Sequence, residues 1–292
     1  MESLTVLAQT LLNGVLQGGV YAAAAVGLSL IFGVSGILNA AHGELLMLGA
    51  FTTYWLFKVY GVDPLLTLPI SFALLFLLGY ALQYLVLNRT LGAPLLVSLL
   101  VTFGISLVLV NTALRVWSAD YRMMAVPYFG ESLALGPFII PLSRLTAFTA
   151  GVGMVGGLYW LLQRADLGRM IRATAQDWEM ASLMGVNPRL VYAVTFGLGS
   201  AVTGVAGSLV AFYSPVQPNM GLTYTLFAFS VVVLGGMGYI PGVLWGGLVL
   251  GIAQAVTETY TEAGLSLLVA FFLLYLILRF MPAGIMGKGR VE

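Results

Sequence analysis

The sequence predicts an all-α polytopic membrane protein with eight or nine transmembrane or partly broken helices, N-terminus outside and C-terminus cytoplasmic. Three observations carry this. The 292 residues are 60% hydrophobic and 8% charged, with a mean hydropathy of +1.00. Apolar runs near the ~20 residues that a helix needs to cross a bilayer recur from end to end. Those runs are continuous rather than alternating, which argues against a β-barrel. Residues 1–292 therefore read as one transmembrane domain. The start, MESLTVLAQT, lacks a basic n-region and its apolar pattern runs on past any cleavage site, so no cleaved signal peptide is expected. Without cysteine there is no disulfide or thiol chemistry, and a net charge of +1 argues against a nucleic-acid partner.

Nine hydrophobic segments can be marked, at about 7–33, 43–57, 65–87, 94–117, 138–162, 190–213, 224–239, 243–260 and 264–281. The second and seventh are short for a full span and read as re-entrant or broken helices. With nine crossings, one side receives Arg89, Arg164, Arg169, Arg172, Arg189, Arg279, Lys288 and Arg290, and the other Lys58, Arg115, Arg122 and Arg144. Eight basic residues against four put the first set in the cytoplasm.

Taken in order, the first segment carries Gly14 and Gly18 as a GxxxG pair beside Asn13 and Gln17. Such a pair lets helix backbones approach closely, with the amides as polar glue, while Gln17 on a bundle-facing side is also a candidate substrate contact. Next, Asn39-Ala40-Ala41-His42-Gly43-Glu44 places the only histidine, an amide and a carboxylate between two apolar segments. Ionisable groups there must face water or be buried against protein. Two readings fit: a hydrogen-bonded brace for a non-helical turn, or polar lining of a solute path. A zinc site does not fit, because HGE is no HExxH motif and no second His or any Cys exists. The 118–137 loop, with its aromatic, Pro and Gly content, reads as an interfacial cap on the outer side or as a plain surface loop.

The polar heart of the chain is 163–189, which holds Arg164, Asp166, Arg169, Arg172, Asp177, Glu179 and Arg189. From Asp177, the residues Met180, Ala181, Met184 and Gly185 recur on one helical face, Asp177 can cap the start, and Gly185 with Asn187-Pro188 can end it. Two readings follow: a short amphipathic helix on a cytoplasmic loop that a partner reads, or a solvated loop with interfacial arginines. After it, 190–213 is rich in Gly, Ala, Ser and Thr and predicts tight helix contacts. Gly235, Gly236 and Gly238 with Pro241-Gly242 predict a helix break at membrane depth, whose freed backbone groups can meet a solute. Gly242, Gly246, Gly247 and Gly251 add two GxxxG pairs, and Glu258 with Glu262 reads as a solvated outer face.

Three of these pieces, the Asn39–Glu44 turn, Arg172-Ala-x-Ala-Gln176 leading into Glu179-Met-Ala181-x-x-x-Gly185, and Val233-Leu-Gly-Gly-Met-Gly238 with its following Pro-Gly and Gly-Gly, occur together in order. In that combination the chain resembles the permease subunits of bacterial ABC importers for branched-chain and other hydrophobic amino acids, of the leucine-type "H" kind, from about residue 10 to Gly287. The resemblance implies a multi-pass protein of the bacterial inner membrane that moves substrate by alternating access. It implies that Glu179, Ala181 and Gly185, flanked by Arg172, Asp177 and Met184, form the loop that docks on an ATPase. Met180 departs from a frequent Ala there. It further implies a second, homologous permease, two cytoplasmic ATPase subunits carrying the ATP and Mg, and a periplasmic substrate-binding protein. The chain itself then needs no cofactor and is no enzyme, and no GxxxxGK[ST] occurs in it. On this reading Asn39, His42, Glu44, Gln17, Gly235, Gly236 and Gly238 line the substrate path. Ala40, where the family is commonly bulkier, means either a larger pocket or closer packing. A urea or short-amide permease of the same superfamily shares an Asn-x-Ala-His-Gly-Glu turn and is the alternative. A channel or secondary transporter would need no docking loop, and an intramembrane enzyme is the remaining reading.

Overall fold

The computed structural model describes residues 2–261, 265–281 and 283–286, and the expected features at residue 264, Glu262, Gly287, Lys288 and Arg290 lie outside the described residues. Eleven helices follow one another among the described residues: α1 (Glu2–Ser35), α2 (His42–Tyr60), α3 (Thr67–Leu85), α4 (Leu95–Trp117), α5 (Leu142–Arg164), α6 (Asp166–Gln176), α7 (Trp178–Leu183), α8 (Pro188–Val210), α9 (Met220–Gly235), α10 (Ile240–Tyr260) and α11 (Ser266–Phe280). Six contain stretches long and apolar enough to cross a membrane: 4–35, 64–89, 95–117, 142–164, 188–210 and 240–260. At 16 residues α9 is about 24 Å long, shorter than a hydrocarbon core of about 30 Å.

Small residues decide which helix sits at the centre. In α8, 94% of the apolar window is buried, against 17% in α4, so α8 forms the axis and α4 the rim. The glycine and serine run expected to give tight contacts does so. A Cβ on Gly207 would lie 1.9 Å from the Leu46 carbonyl oxygen of α2, one on Gly204 would meet Leu75 of α3 at 2.5 Å, and one on Gly199 would meet the Gly27 carbonyl of α1 at 2.8 Å. The two GxxxG pairs of α1 and α10 also engage each other. A Cβ on Gly18 would stand 2.7 Å from the Gly247 carbonyl oxygen, and one on Gly251 2.5 Å from that of Gly14. Without water to be released inside a bilayer, such backbone proximity is what dispersion forces between helices require.

The expected helix break between α9 and α10 is present but differently placed. Gly236 (φ +101°) and Gly238 (φ +78°) adopt conformations open to glycine, and Ile240-Pro241 starts α10. A Cβ on Gly33 would be 2.9 Å from Gly238 Cα. Gly33 lies at the last turn of α1, so the break is a tight turn at one end of the bundle rather than at mid-depth. The cause is the hairpin itself: Gly235 and Gly242 pack backbone to backbone and leave no room for a longer excursion.

The fifth segment begins at Leu142 rather than 138. Phe138–Pro141 instead pairs antiparallel with Ser132–Leu135 as a small hairpin, β2 with β1, around Gly136 at φ +62°. Its apolar Phe-Ile-Ile extends the hydropathy of α5 without joining the helix. The basic residues separate to two ends of the bundle. Asn88 beside Arg89 donates to the Arg189 carbonyl (3.4 Å) at the end that carries α6 and α7, here the α7 face. Lys58 and Arg122 gather over Tyr54 and Trp55 at the far face, where Arg122 and Val216 bridge the loops and the Tyr128 hydroxyl donates to Asp63 Oδ2 (2.7 Å).

Candidate functional site

Two places deserve chemical description, the Asn39–Glu44 turn and the segment around α7. The turn is fully inside the protein: His42 is 0% exposed, Asn39 3% and Glu44 4%. His42, Gly43 and Glu44 face different helices, while Asn39 bonds within the turn. Asn39 Oδ1 accepts the Ala41 N–H (3.0 Å), the local bond that shapes the turn. His42 Nε2 donates to the Ala24 carbonyl of α1 at 2.7 Å, since a carbonyl can only accept. Gly43 packs against α9, where a Cβ would fall 1.8 Å from the Gly221 carbonyl oxygen. The Glu44 carboxylate bonds the Ser106 hydroxyl of α4. Thr102, also on α4, accepts the Ala40 N–H at 3.1 Å and lies within 3.1 Å of the Leu38 carbonyl.

These bonds answer a specific difficulty. α2 starts beside Ala24, roughly 16 Å of helix before α1 ends at Ser35, so residues 36–41 turn back into the bundle. The first amides of a helix have no partner within it, and an apolar surrounding offers no water. Here the His42 N–H donates to Asn39 O (3.3 Å), the Gly43 N–H to Thr225 Oγ1 of α9 (2.8 Å), and the Leu45 N–H to Ala41 O (3.3 Å). Three of the first four amides are thus satisfied, one of them by another helix. Three buried polar atoms keep no partner: Asn39 Nδ2, His42 Nδ1 and Glu44 Oε2. Thr102, Ser106 and Thr225 were not singled out from sequence; the available signal was the i, i+4, i+8 row of Ser98, Thr102 and Ser106 along the apolar α4.

Of the other residues expected on the path, half-buried Gln17 donates from Nε2 to the Tyr21 hydroxyl (2.6 Å). Gly235 and Gly236 are buried in the α9–α10 turn. Gly238 is exposed and lines two clefts of the α7 face, one of about 200 Å³ with Arg172 and Tyr159, the other of about 750 Å³ with Asp177, Trp178 and Tyr192. Neither cleft reaches Asn39, His42 or Glu44.

The charged segment folds as two helices where one short one was expected. α6 runs to Gln176, and the extended backbone of Asp177 (φ −157°) separates it from the six-residue α7. Asp177 Oδ1 accepts the Glu179 and Met180 N–H groups at 3.0 Å each, the expected N-cap. Gly185 (φ +88°) ends the helix, with its N–H on Ser182 O and that of Val186 on Ala181 O. Asn187 then caps α8. Ala181 is buried at 6%, whereas Met180, Leu183 and Met184 are 59%, 81% and 85% exposed, and α7 ends at Leu183, before Met184 and Gly185. The helix is too short to carry a full stripe, so Ala181 anchors it while Trp178, Met180, Leu183 and Met184 stand in solvent. Glu179 and Arg172 are exposed beside this patch.

Residues 10–278 match the family model described as branched-chain amino acid transport system / permease component. The chain belongs to that permease family. It is 34% identical over 300 residues to the high-affinity branched-chain amino acid transport system permease protein BraD of Pseudomonas aeruginosa, covering 97% of both chains. To LivH of Escherichia coli, named in the same words, it is 32% identical, covering 97% of this chain and 96% of LivH. LivM of the same organism is 24% identical over 94% of this chain and 69% of its own length. No solved structure matches the chain. Family membership supports the amino-acid permease reading over the urea alternative, and it makes the chain a permease component rather than a catalytic one.

Proposed function

We propose that this protein is the transmembrane permease subunit of an ATP-driven importer that moves branched-chain or other hydrophobic amino acids by alternating access in a bacterial inner membrane. The observation that carries it is the exposed apolar patch of α7, held rigid by the Asp177 cap and the Gly185 stop. An apolar patch on a short, doubly capped helix fits a groove on a partner. In this reading that partner is one of two ATPase subunits, which hold the ATP and Mg, and the α7 face is cytoplasmic, as its richer set of arginines favours. The far face meets a periplasmic binding protein. A second homologous permease completes the core.

Transport then follows from differential contact. An ATPase that binds α7 differently in its two nucleotide states moves the α6–α7 segment against the bundle. The hydrogen-bonded start of α2 is where α1, α2, α4 and α9 meet, so a shift among these helices opens that junction. Asn39 Nδ2, His42 Nδ1 and Glu44 Oε2 are then free to meet the polar ends of an amino acid, with Gln17 on one side of them and the Gly235–Gly238 backbone on the other. Co-purification tests the docking: Leu183→Asp and Met184→Asp lose the ATPase subunit while the second permease stays bound. Retention of the ATPase by both variants contradicts the assignment of α7.

A further inference from the structure

The far face holds a cleft of about 610 Å³ between the start of α1, the hairpin, the start of α5 and the end of α10. Gln9, Thr10, Asn13, Ile139, Arg144 and Thr259 contribute to its wall. Most of its polar groups are occupied with one another. Gln9 exchanges bonds with the Ile139 backbone (2.8 and 3.0 Å) and donates to Asn13 Oδ1 (3.3 Å), and Thr10 donates to Thr259 (3.2 Å). Arg144 differs. It is half-buried, yet among the described residues it has no hydrogen bond and no carboxylate within ion-pairing distance. Its guanidinium carbon stands 5.9 Å from the Tyr213 ring, and its charge also reaches Tyr21. Deeper along α1, toward its middle, Tyr21 packs on Phe227 (5.3 Å), itself beside Tyr224 (6.2 Å).

Among the described residues no carboxylate pairs with this half-buried guanidinium, although Glu258, like Arg144, lies near enough to act on Tyr21, so the guanidinium can take a further carboxylate. Its planar fork binds a carboxylate with two parallel N–H···O bonds, and the geometry is pre-organised. The Tyr213 ring beside the guanidinium offers its face to an ammonium group, and the Asn13 amide in the cleft wall a polar partner. We propose that Arg144 is the carboxylate anchor of an entry station for a zwitterionic amino acid on the far face, a proposal that rests on the importer reading above. The anchor holds the substrate at the mouth before the bundle opens. The other anion that could reach a half-buried arginine at this depth is a lipid phosphate.

The test uses the assembled complex in proteoliposomes with leucine-loaded binding protein, measuring leucine taken up per ATP hydrolysed. Arg144→Ala lowers that ratio at least about tenfold, as loss of charge-assisted bonding to the carboxylate would, so uptake falls by more than binding-protein-stimulated ATP hydrolysis does. Arg144→Lys, which keeps the charge without the fork, recovers part of it. An unchanged ratio in Arg144→Ala overturns the proposal. So does a parallel loss of thermal stability and ATP hydrolysis in both variants, which marks a structural arginine. A defect present only in vesicles containing phosphatidylglycerol, and absent in phosphatidylcholine, assigns Arg144 to lipid and also overturns it. A wild-type complex that hydrolyses ATP but takes up no amino acid is a different failure, that of the importer reading itself.

Discussion

His42 of α2 reaches back 18 residues to the Ala24 carbonyl of α1, at 2.7 Å, and so pins the start of one helix to the middle of another. A carbonyl inside a helix has a second lone pair for such a bond, and a buried donor without a partner is costly. Removing the imidazole therefore loosens the turn. His42→Ala lowers unfolding stability by about 1–3 kcal/mol and raises hydrogen exchange at the Gly43 and Glu44 amides. Thermal unfolding and exchange in detergent measure both. If exchange at 39–45 is unaltered, the bond does not organise α2.

The same turn separates brace from path. Asn39→Asp keeps an oxygen to accept the Ala41 N–H but removes the amide nitrogen that has no partner, whereas Asn39→Ala removes both. Participation in the path predicts that leucine uptake per folded molecule falls in both variants, with the larger loss of melting temperature in Asn39→Ala. A fall in stability with uptake per folded molecule unchanged identifies a purely structural asparagine.

Helix packing predicts a contrast between two glycines. At Gly207 a Cβ would lie 1.9 Å from the Leu46 carbonyl oxygen, whereas at Gly104, on the rim helix α4, it would meet nothing within 4 Å. Gly207→Ala thus forces α2 off α8 and costs on the order of 1–3 kcal/mol, as overpacking does. Gly104→Ala leaves the fold intact, since the helix gains the better helix former. Denaturation of the purified variants ranks the two.

At the far face, burial first and then the hydrogen bond and charge of Asp63 hold the Tyr128 hydroxyl above the usual tyrosine range. A group whose folded value is raised stabilises the fold fully below its unfolded value, near 10, and loses that contribution as pH rises through the folded value. Between those two values stability therefore falls with pH. Tyr128→Phe removes the slope, which melting curves at alkaline pH record.

Much of this was legible in the sequence because it rests on local chemistry. Asp177, Gly185 and Asn187-Pro188 are cap and stop residues whose effect needs only neighbouring amides, so the ends of α7 and the start of α8 were readable. The glycine pairs of α1 and α10 were readable because their spacing is set by the helix turn. The inward start of α2 was not, since it depends on Ala24, Thr102, Ser106 and Thr225 arriving from three other helices. Hydropathy also merges Phe138–Pro141 into α5, because an apolar strand and an apolar helix look alike over four residues. Arg144 gave only a charge to count, as nothing local reports that no described carboxylate pairs with it.

The central claim is that α7 couples this permease to ATP hydrolysis elsewhere. Uptake of radiolabelled leucine, phenylalanine and urea by the purified complex in proteoliposomes tests it most directly, comparing wild type with Gly185→Asp and Glu179→Lys. At φ +88° residue 185 strains any side chain, and Asp adds a charge beside the apolar patch. The account predicts ATP-dependent uptake of an amino acid by the wild type, lost in Gly185→Asp and reduced in Glu179→Lys while both remain folded. Uptake that persists without ATP and in both variants would contradict it.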